Sequence, residues 1–69
     1  MKLSARNQLP GTITSITEGA VNGIVTLDVN GIPVTSTISM NAIKELDLKV
    51  GMKAIAVIKA TNVMIGVED

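Results

Sequence analysis

The residues of this 69-residue chain that could do chemistry are cations grouped with hydrogen-bond donors. Arg6 is the one charged residue between Leu3 and Leu9. In an extended backbone, Ser4, Arg6 and Gln8 point to the same side, because side chains alternate along a strand. A hydroxyl, a guanidinium and an amide would then face one ligand. All three groups donate hydrogen bonds, so the pattern predicts a site for an anion.

Two further segments carry donors of the same kind. Lys59 ends an apolar strand and is followed by Ala60, whose small side chain leaves its backbone N–H easily approached. Hydroxyl and amide donors follow at residues 61–62. The start of a predicted helix at residues 39–43 would leave backbone N–H groups free, and such groups bind anions. Ser39 would add a hydroxyl donor there.

Each of these segments also has an explanation that involves no ligand. Arg6 could pair with a carboxylate, Lys59 could extend its charged end from apolar surface into water, and Ser39 could simply cap the helix. Together the three segments suit a small tetrahedral dianion, which needs many directional donors and one or two positive charges to offset its desolvation. Whether the segments meet within one chain or between chains stays open at this point.

The composition argues against catalysis and against a metal-cation site. The chain has no His, Cys or Tyr, so general bases are few and a thiol nucleophile is absent. The six acidic residues are scattered, without the spacing of a calcium-binding loop. We therefore expect a binding protein and not an enzyme, with no catalytic cofactor and no bound metal cation.

Charge and hydropathy argue against several classes of partner. Six basic residues balance six acidic ones, so no broad field attracts a polyanion. Without Phe, Tyr or Trp there is no side chain on which nucleic-acid bases could stack. No apolar run approaches the roughly 20 residues that span a bilayer, and a polar residue follows the first three, unlike a signal peptide. We expect no nucleic-acid or membrane partner and a cytoplasmic location.

The small size of the chain predicts self-association. Small domains are marginally stable alone and are usually stabilised by disulfides, metals or oligomerisation. With no Cys and no His, oligomerisation is the device that remains. The 46% apolar content also exceeds what one small core can hold. We expect one domain, residues 1–69, that forms a homo-oligomer.

The elements that would position these donors are mostly strands, because Val, Ile and Thr dominate the chain. Asn30-Gly31 predicts a type I′ hairpin turn, and Pro33 places the following strand at an edge or a bulge. A short helix is predicted from residue 39 to residue 46. Strands are predicted at residues 11–17, 21–29, 32–40, 53–59 and 61–67.

Five strands with one short helix between the third and fourth strands predict an all-β fold, an OB-type Greek-key barrel. A small β-barrel of another topology is the alternative. The N-terminal residues 3–8 could pair as an extra strand, on this chain or on a neighbouring subunit.

Two segments of the sequence resemble the molbindin (Mop) family. Residues 4–9 (SARNQL), followed by Gly11, carry the more specific part, and residues 59–64 (KATNVM) carry the rest. The resemblance extends over nearly the whole chain. It implies an OB-type barrel and a hexamer arranged as a trimer of dimers, with molybdate or tungstate bound between subunits. Because the chain has no DNA-binding domain and no Walker motif, it resembles the freestanding form that stores or buffers these oxyanions.

The resemblance also implies which residues hold the oxyanion. Ser4 and Arg6 carry over directly, whereas Ala42 stands where related regulators can have a hydroxyl, so that only its backbone N–H would serve. The expected set is Ser4, Ala5, Arg6, Asn7, Ser39, Ala42, Ile43, Lys59, Ala60 and Thr61. A second oxyanion site, near a threefold axis, is expected at the turn formed by Gly19, Ala20, Val21 and Asn22.

The leading hypothesis is therefore intracellular binding, storage or buffering of molybdate or tungstate, in pockets at the subunit interfaces of a homo-oligomer. The alternative is a structural or interaction β-barrel module without a small-molecule ligand. The two hypotheses differ in whether an oxyanion stabilises the folded protein.

Overall fold

The computed structural model describes residues 1–69 and contains four antiparallel strands and one short helix. The strands lie in the order β3-β2-β1-β4, and the helix α1 lies between β3 and β4 in the chain. The elements are β1 (Asn7–Thr17), β2 (Asn22–Val29), β3 (Ile32–Ser39), α1 (Met40–Glu45), β4 (Lys53–Ile58) and a 3₁₀ turn (Ala60–Asn62).

The long strand β1 holds the sheet together because it pairs with two partners in succession. Its first half, from Asn7 to Thr12, pairs with β4, and its second half, from Thr12 to Thr17, pairs with β2. At Pro10, β1 pairs with β4 and not with β2. The missing N–H of Pro10 therefore removes no hydrogen bond on the side of β1 that faces β2. Within the pairing of β1 with β2, the register shifts between Ile13 and Ser15, so Thr14 forms a β-bulge. The bulge bends β1 and curls the sheet.

The hairpin between β2 and β3 confirms the predicted turn. Asn30 and Gly31 both have positive φ, of 50° and 87°, as a type I′ turn requires. Gly31 adopts this conformation without the steric cost that a side chain would bring. Pro33 lies on β3, which is an edge strand, and this agrees with the edge position predicted for it.

The helix α1 is short and is capped at both ends. The Ser39 hydroxyl accepts a hydrogen bond from the Ala42 N–H at 3.0 Å. Asp47 takes the left-handed conformation after the helix, with φ 51°. Its N–H donates a hydrogen bond to the Lys44 carbonyl, and the Leu48 N–H donates to the Ile43 carbonyl. The helix contributes Ile43 to the core, which lies on the inner face of the sheet and consists of Ile13, Val25, Leu27 and Ile43.

A glycine lets α1 lie close against β2. Gly23 is buried, and a Cβ at this position would come within 2.5 Å of the Ile43 Cδ1 and within 2.9 Å of the Met40 Sδ. Both of those side chains belong to α1. The ends of these two side chains would have to move to admit a Cβ, so the glycine lets the helix pack closely over this end of the sheet.

One sequence prediction about strands is wrong in detail. The predicted fifth strand at residues 61–67 is absent: the chain forms the 3₁₀ turn and then runs on without a sheet partner. Alternating apolar residues favour a strand only where a neighbouring strand is available to pair with them. Of residues 3–8, which could pair as an extra strand on this chain or on a neighbouring subunit, Asn7 and Gln8 pair within the chain as the start of β1, and residues 3–6 pair with no strand of the chain.

Candidate oxyanion site

The register between β1 and β4 brings two of the donor segments together within one chain. In every pair of this ladder the two residue numbers add to 65, and the last pair is Asn7 with Ile58. Continued by one step, this register places Arg6 beside Lys59. Two further steps place Ala5 beside Ala60 and Ser4 beside Thr61. The ladder itself stops at Asn7 and Ile58, and the backbone bends at Ser4 and Arg6, so residues 4–6 and 59–61 leave the end of the ladder without forming strand pairs.

The two cations at this end of the sheet have no carboxylate partner. The structure's salt bridge joins Lys49 and Asp47 at 3.5 Å, and neither Arg6 nor Lys59 has an acidic oxygen within 4.0 Å. Both residues are exposed. The explanation in which Arg6 serves only to pair with a carboxylate therefore does not hold for this chain. Each chain segment that leaves this end of the ladder therefore carries one cation without an acidic partner, and an anion bound there would be attracted by both.

The backbone around the two cations is also rich in free donors. The N–H groups of Lys59, Ala60 and Thr61 donate to no group in the chain, and neither do those of Ser4, Ala5 and Arg6. The hydroxyls of Ser4 and Thr61 are likewise without partners. Residues 4–6 and 59–61, which we call the strand-end cluster, therefore present N–H and O–H donors together with two positive charges. Such a set is suited to a small oxyanion.

Two amide side chains beside the strand-end cluster bind the backbone. The Asn7 Nδ2 donates to the Ile58 carbonyl at 3.2 Å, and the Gln8 Nε2 donates to the Ala5 carbonyl at 3.4 Å. The contact of Gln8 was not predicted. The contact depends on the bends at Ser4 and Arg6, which the extended backbone predicted for this segment did not include.

The remaining expected donors form a second cluster. Ser39 pairs with Asn22 across β2 and β3, and the Met40 N–H donates to the Val21 carbonyl at 2.8 Å. The helix start at residues 39–43 thus lies against the turn at residues 19–22, which was expected to form a separate second site. We call these two segments together the helix-end cluster. The N–H groups of its residues Gly19, Ala20 and Val21 donate to no group in the chain.

Some donors of the helix-end cluster are already engaged. The Ala42 N–H donates to the Ser39 hydroxyl oxygen, so it is not free as the sequence suggested. The Ser39 hydroxyl keeps its own proton for a ligand. The Ile43 side chain is apolar and buried in the core, so only the backbone of Ile43 could donate a hydrogen bond to an anion.

The two clusters lie at opposite ends of the sheet. The strand-end cluster adjoins Asn7, the first residue of β1, and the helix-end cluster adjoins Thr17, the last, through the pairing of Thr17 with Ile24. Ten residue steps along a strand cover about 33 Å. One chain therefore cannot bring both clusters to the same small anion.

The large concave surface of the chain belongs to neither cluster. It is a groove of about 940 Å³ along the inner face of the sheet, and 14 of its 20 lining residues are hydrophobic. Val34, Ile38, Leu48 and Met52 are among them. Apolar walls do not solvate an oxyanion, so this groove is a surface for packing and not a site for the ligand.

No group of three or more acidic, His or Cys side chains is arranged to hold a metal ion. The helix α1 has six residues, and no helix has the length and apolar character needed to span a bilayer.

Comparison with known proteins gives the family. The TOBE domain family matches residues 3–65. A relative from Haemophilus influenzae, described as a "probable molybdenum-pterin-binding protein", is 58% identical over 69 residues, which is 99% of this chain and 100% of the relative. The chain belongs to the molbindin (Mop) family. This confirms the resemblance carried by residues 4–9 and 59–64.

Solved molbindin structures confirm the fold. MopII from Clostridium pasteurianum is 40% identical, superposes with a TM-score of 0.90, and is matched over 96% of this chain and 100% of its own. The molybdate-bound form of the cytoplasmic molybdate-binding protein ModG is 51% identical with a TM-score of 0.93, over 99% of this chain and 49% of ModG. The architecture is therefore of the OB type, as predicted, although this chain supplies four strands and not five.

Proposed function

We propose that this molbindin binds molybdate or tungstate without catalysis, as a cytoplasmic store or buffer, in pockets between the subunits of a homo-oligomer. The observation that carries the proposal is the strand-end cluster, where two unpaired cations adjoin free N–H and O–H donors. The names of the relatives support the choice of ligand, because they are described as binding molybdenum-pterin or molybdate.

The chemistry of the cluster suits an anion that is fully ionised at neutral pH. Molybdate and tungstate are dianions that accept hydrogen bonds at every oxygen, so fixed donors serve them without any proton transfer. Phosphate would bring a proton that needs an acceptor, and the strand-end cluster offers donors. Sulfate has the same charge and shape, so discrimination against it rests on pocket size.

We propose the oxyanion itself, and not a pterin, as the ligand. A pterin ring is flat, and proteins usually hold such rings against aromatic side chains. The chain has no Phe, Tyr or Trp to provide that surface. The donors of the strand-end cluster suit the oxyanion, and none of them provides a surface for a pterin ring.

The exposed surface of the chain supports a homo-oligomer. Its accessible area is 5521 Å², and its mass is 7.2 kDa. A monomeric protein of that mass is expected to expose about 4100 Å², so the excess is about 1400 Å² per chain. An excess of this size corresponds to the surface that each subunit buries in an obligate assembly. Much of it is apolar, because Met64, Ile65 and Val67 in the C-terminal tail are almost fully exposed.

The positions of the two clusters support pockets between subunits. The strand-end cluster holds the charges, and the helix-end cluster holds the Ser39 hydroxyl and the N–H groups of the adjoining turn. Both sets lie on the same chain but at opposite ends of β1. A pocket that uses both must take one end from each of two subunits. We propose the hexamer, a trimer of dimers, as the assembly that does so.

Thermal unfolding with and without oxyanions tests the proposal. A ligand at 100 times its dissociation constant stabilises the native state by about 2.7 kcal/mol. For a domain of this size, each kcal/mol shifts the melting temperature by about 4–8 °C, so molybdate and tungstate should raise it by roughly 10–20 °C. Sulfate and phosphate at the same concentration serve as controls. Equal melting temperatures in all four anions would favour an interaction module without a ligand.

Sedimentation equilibrium tests the assembly independently. We expect a mass six times that of one chain, in the absence of added anion. A monomer at micromolar concentration would contradict the proposed interface, whatever the melting experiment shows.

A further inference from the structure

Asn7 occupies a special place beside the strand-end cluster. It is the first residue of β1, it is half-buried, and its partner Ile58 is the last residue of β4. Its side-chain Nδ2 donates to the Ile58 carbonyl at 3.2 Å, across 51 residues of sequence. This contact therefore joins the two segments of the cluster at the point where backbone pairing stops.

The contact adds a side-chain restraint on the direction of the Lys59 N–H, beside the backbone pairing of Asn7 with Ile58. The Ile58 carbonyl and the Lys59 N–H belong to one planar trans peptide, so they point in opposite directions. When the Asn7 side chain holds the Ile58 oxygen, the Lys59 N–H is turned away from it. That N–H has no partner in the chain.

The next peptide is fixed in the same manner. The Lys59 carbonyl accepts a hydrogen bond from the Asn62 N–H at 2.9 Å, within the 3₁₀ turn. The Ala60 N–H, on the other side of that peptide, is also without a partner. The Lys59 and Ala60 N–H groups are thus oriented in the same way: in each case a hydrogen bond to the carbonyl oxygen of the same peptide group restricts the direction of the N–H.

We infer that Asn7 is a positioning residue for the oxyanion site, and that it acts by orienting the Lys59 and Ala60 N–H groups and not by contacting the anion. This inference rests on the proposed function and adds to it a residue role. The donors are therefore held in place before the anion arrives, and binding does not have to order them.

The test compares two substitutions that each remove one side-chain-to-backbone hydrogen bond. Asn7→Leu removes the bond to Ile58. Thr14→Val removes a bond of the same 3.2 Å length, from the Thr14 Oγ1 to the Thr26 carbonyl, in the middle of β1 and away from the cluster. Molybdate affinity is measured by calorimetry well below each melting temperature, where all variants are folded. We expect Asn7→Leu to weaken binding about tenfold and Thr14→Val to leave it within twofold of the parent.

A second measurement needs no anion. NMR order parameters of the Lys59 and Ala60 amides in the ligand-free assembly should lie near 0.85 in the parent and in Thr14→Val, and should fall toward 0.6 in Asn7→Leu. Unchanged order parameters in Asn7→Leu would overturn the inference, as would an affinity within twofold of the parent. If the parent itself does not bind molybdate, the proposed function fails, and the order parameters still decide the role of Asn7.

Discussion

Removal of the Lys59 charge gives the sharpest test of the strand-end cluster. Lys59→Met deletes the ammonium group and keeps an unbranched side chain of similar length. Lys59 makes no salt bridge and follows the last strand residue, Ile58, so the fold should not depend on its charge. A loss of affinity for molybdate would then report on the ligand and not on folding.

The magnitude follows from Coulomb's law. Two unit charges 4 Å apart in water attract by about 1 kcal/mol, so one lysine beside a dianion contributes about 2 kcal/mol. Because 1.4 kcal/mol corresponds to a factor of ten, Lys59→Met should weaken molybdate binding roughly thirtyfold. Lys59 is exposed in the chain, so the value for water applies. Burial of the pocket between subunits would increase the effect.

Lys53→Met is the matched control. Lys53 is an exposed lysine at the other end of β4, paired with Thr12. Six residues along a strand separate it from Lys59 by about 20 Å, which exceeds the screening length of about 8 Å at physiological ionic strength. Its substitution should change the affinity less than twofold in the same titration calorimetry. An equal loss of molybdate affinity in the two variants would show that the overall charge matters and that the cluster does not. If Lys59→Met kept the affinity of the parent, Lys59 would not belong to the site.

Two further predictions concern the fold and are measured by urea unfolding. Gly23→Ala should destabilise the protein by about 1–3 kcal/mol, because its Cβ would collide with the α1 side chain of Ile43; Gly66→Ala, which meets no atom within 4 Å, is the control and should change little. Asn30→Val should cost about 1–2 kcal/mol, because a β-branched residue does not tolerate the left-handed φ of 50°. Asn30→Gly should be nearly neutral, and an equal loss in both variants would place the effect outside the turn.

The local parts of this fold could be predicted because their causes are local. The Asn30-Gly31 turn depends on two residues that accept positive φ, and the structure has both in that conformation. The start of α1 depends on one hydroxyl, and Ser39 caps it as expected. The edge position of Pro33 follows from the missing N–H alone.

The parts that failed depend on partners that the local sequence does not specify. Residues 61–67 have the composition of a strand, but they pair with neither of the two edge strands, β3 and β4, of this chain. β1 begins four residues earlier than the predicted start at residue 11, because β4 supplies a partner for Asn7 onward. The same pairing brings the strand-end cluster together, so the meeting of Arg6 with Lys59 could not be read from either segment alone.

Under the proposed arrangement of pockets between subunits, the separation of the donor clusters along β1 couples anion binding to assembly. If each pocket takes one end from each of two chains, a twofold pair makes that contact twice and binds one anion per chain. A dissociated chain has only two half-sites, so anion binding and assembly stabilise each other. Under that arrangement, only conditions that dissociate the assembly would release the oxyanion together with the chains.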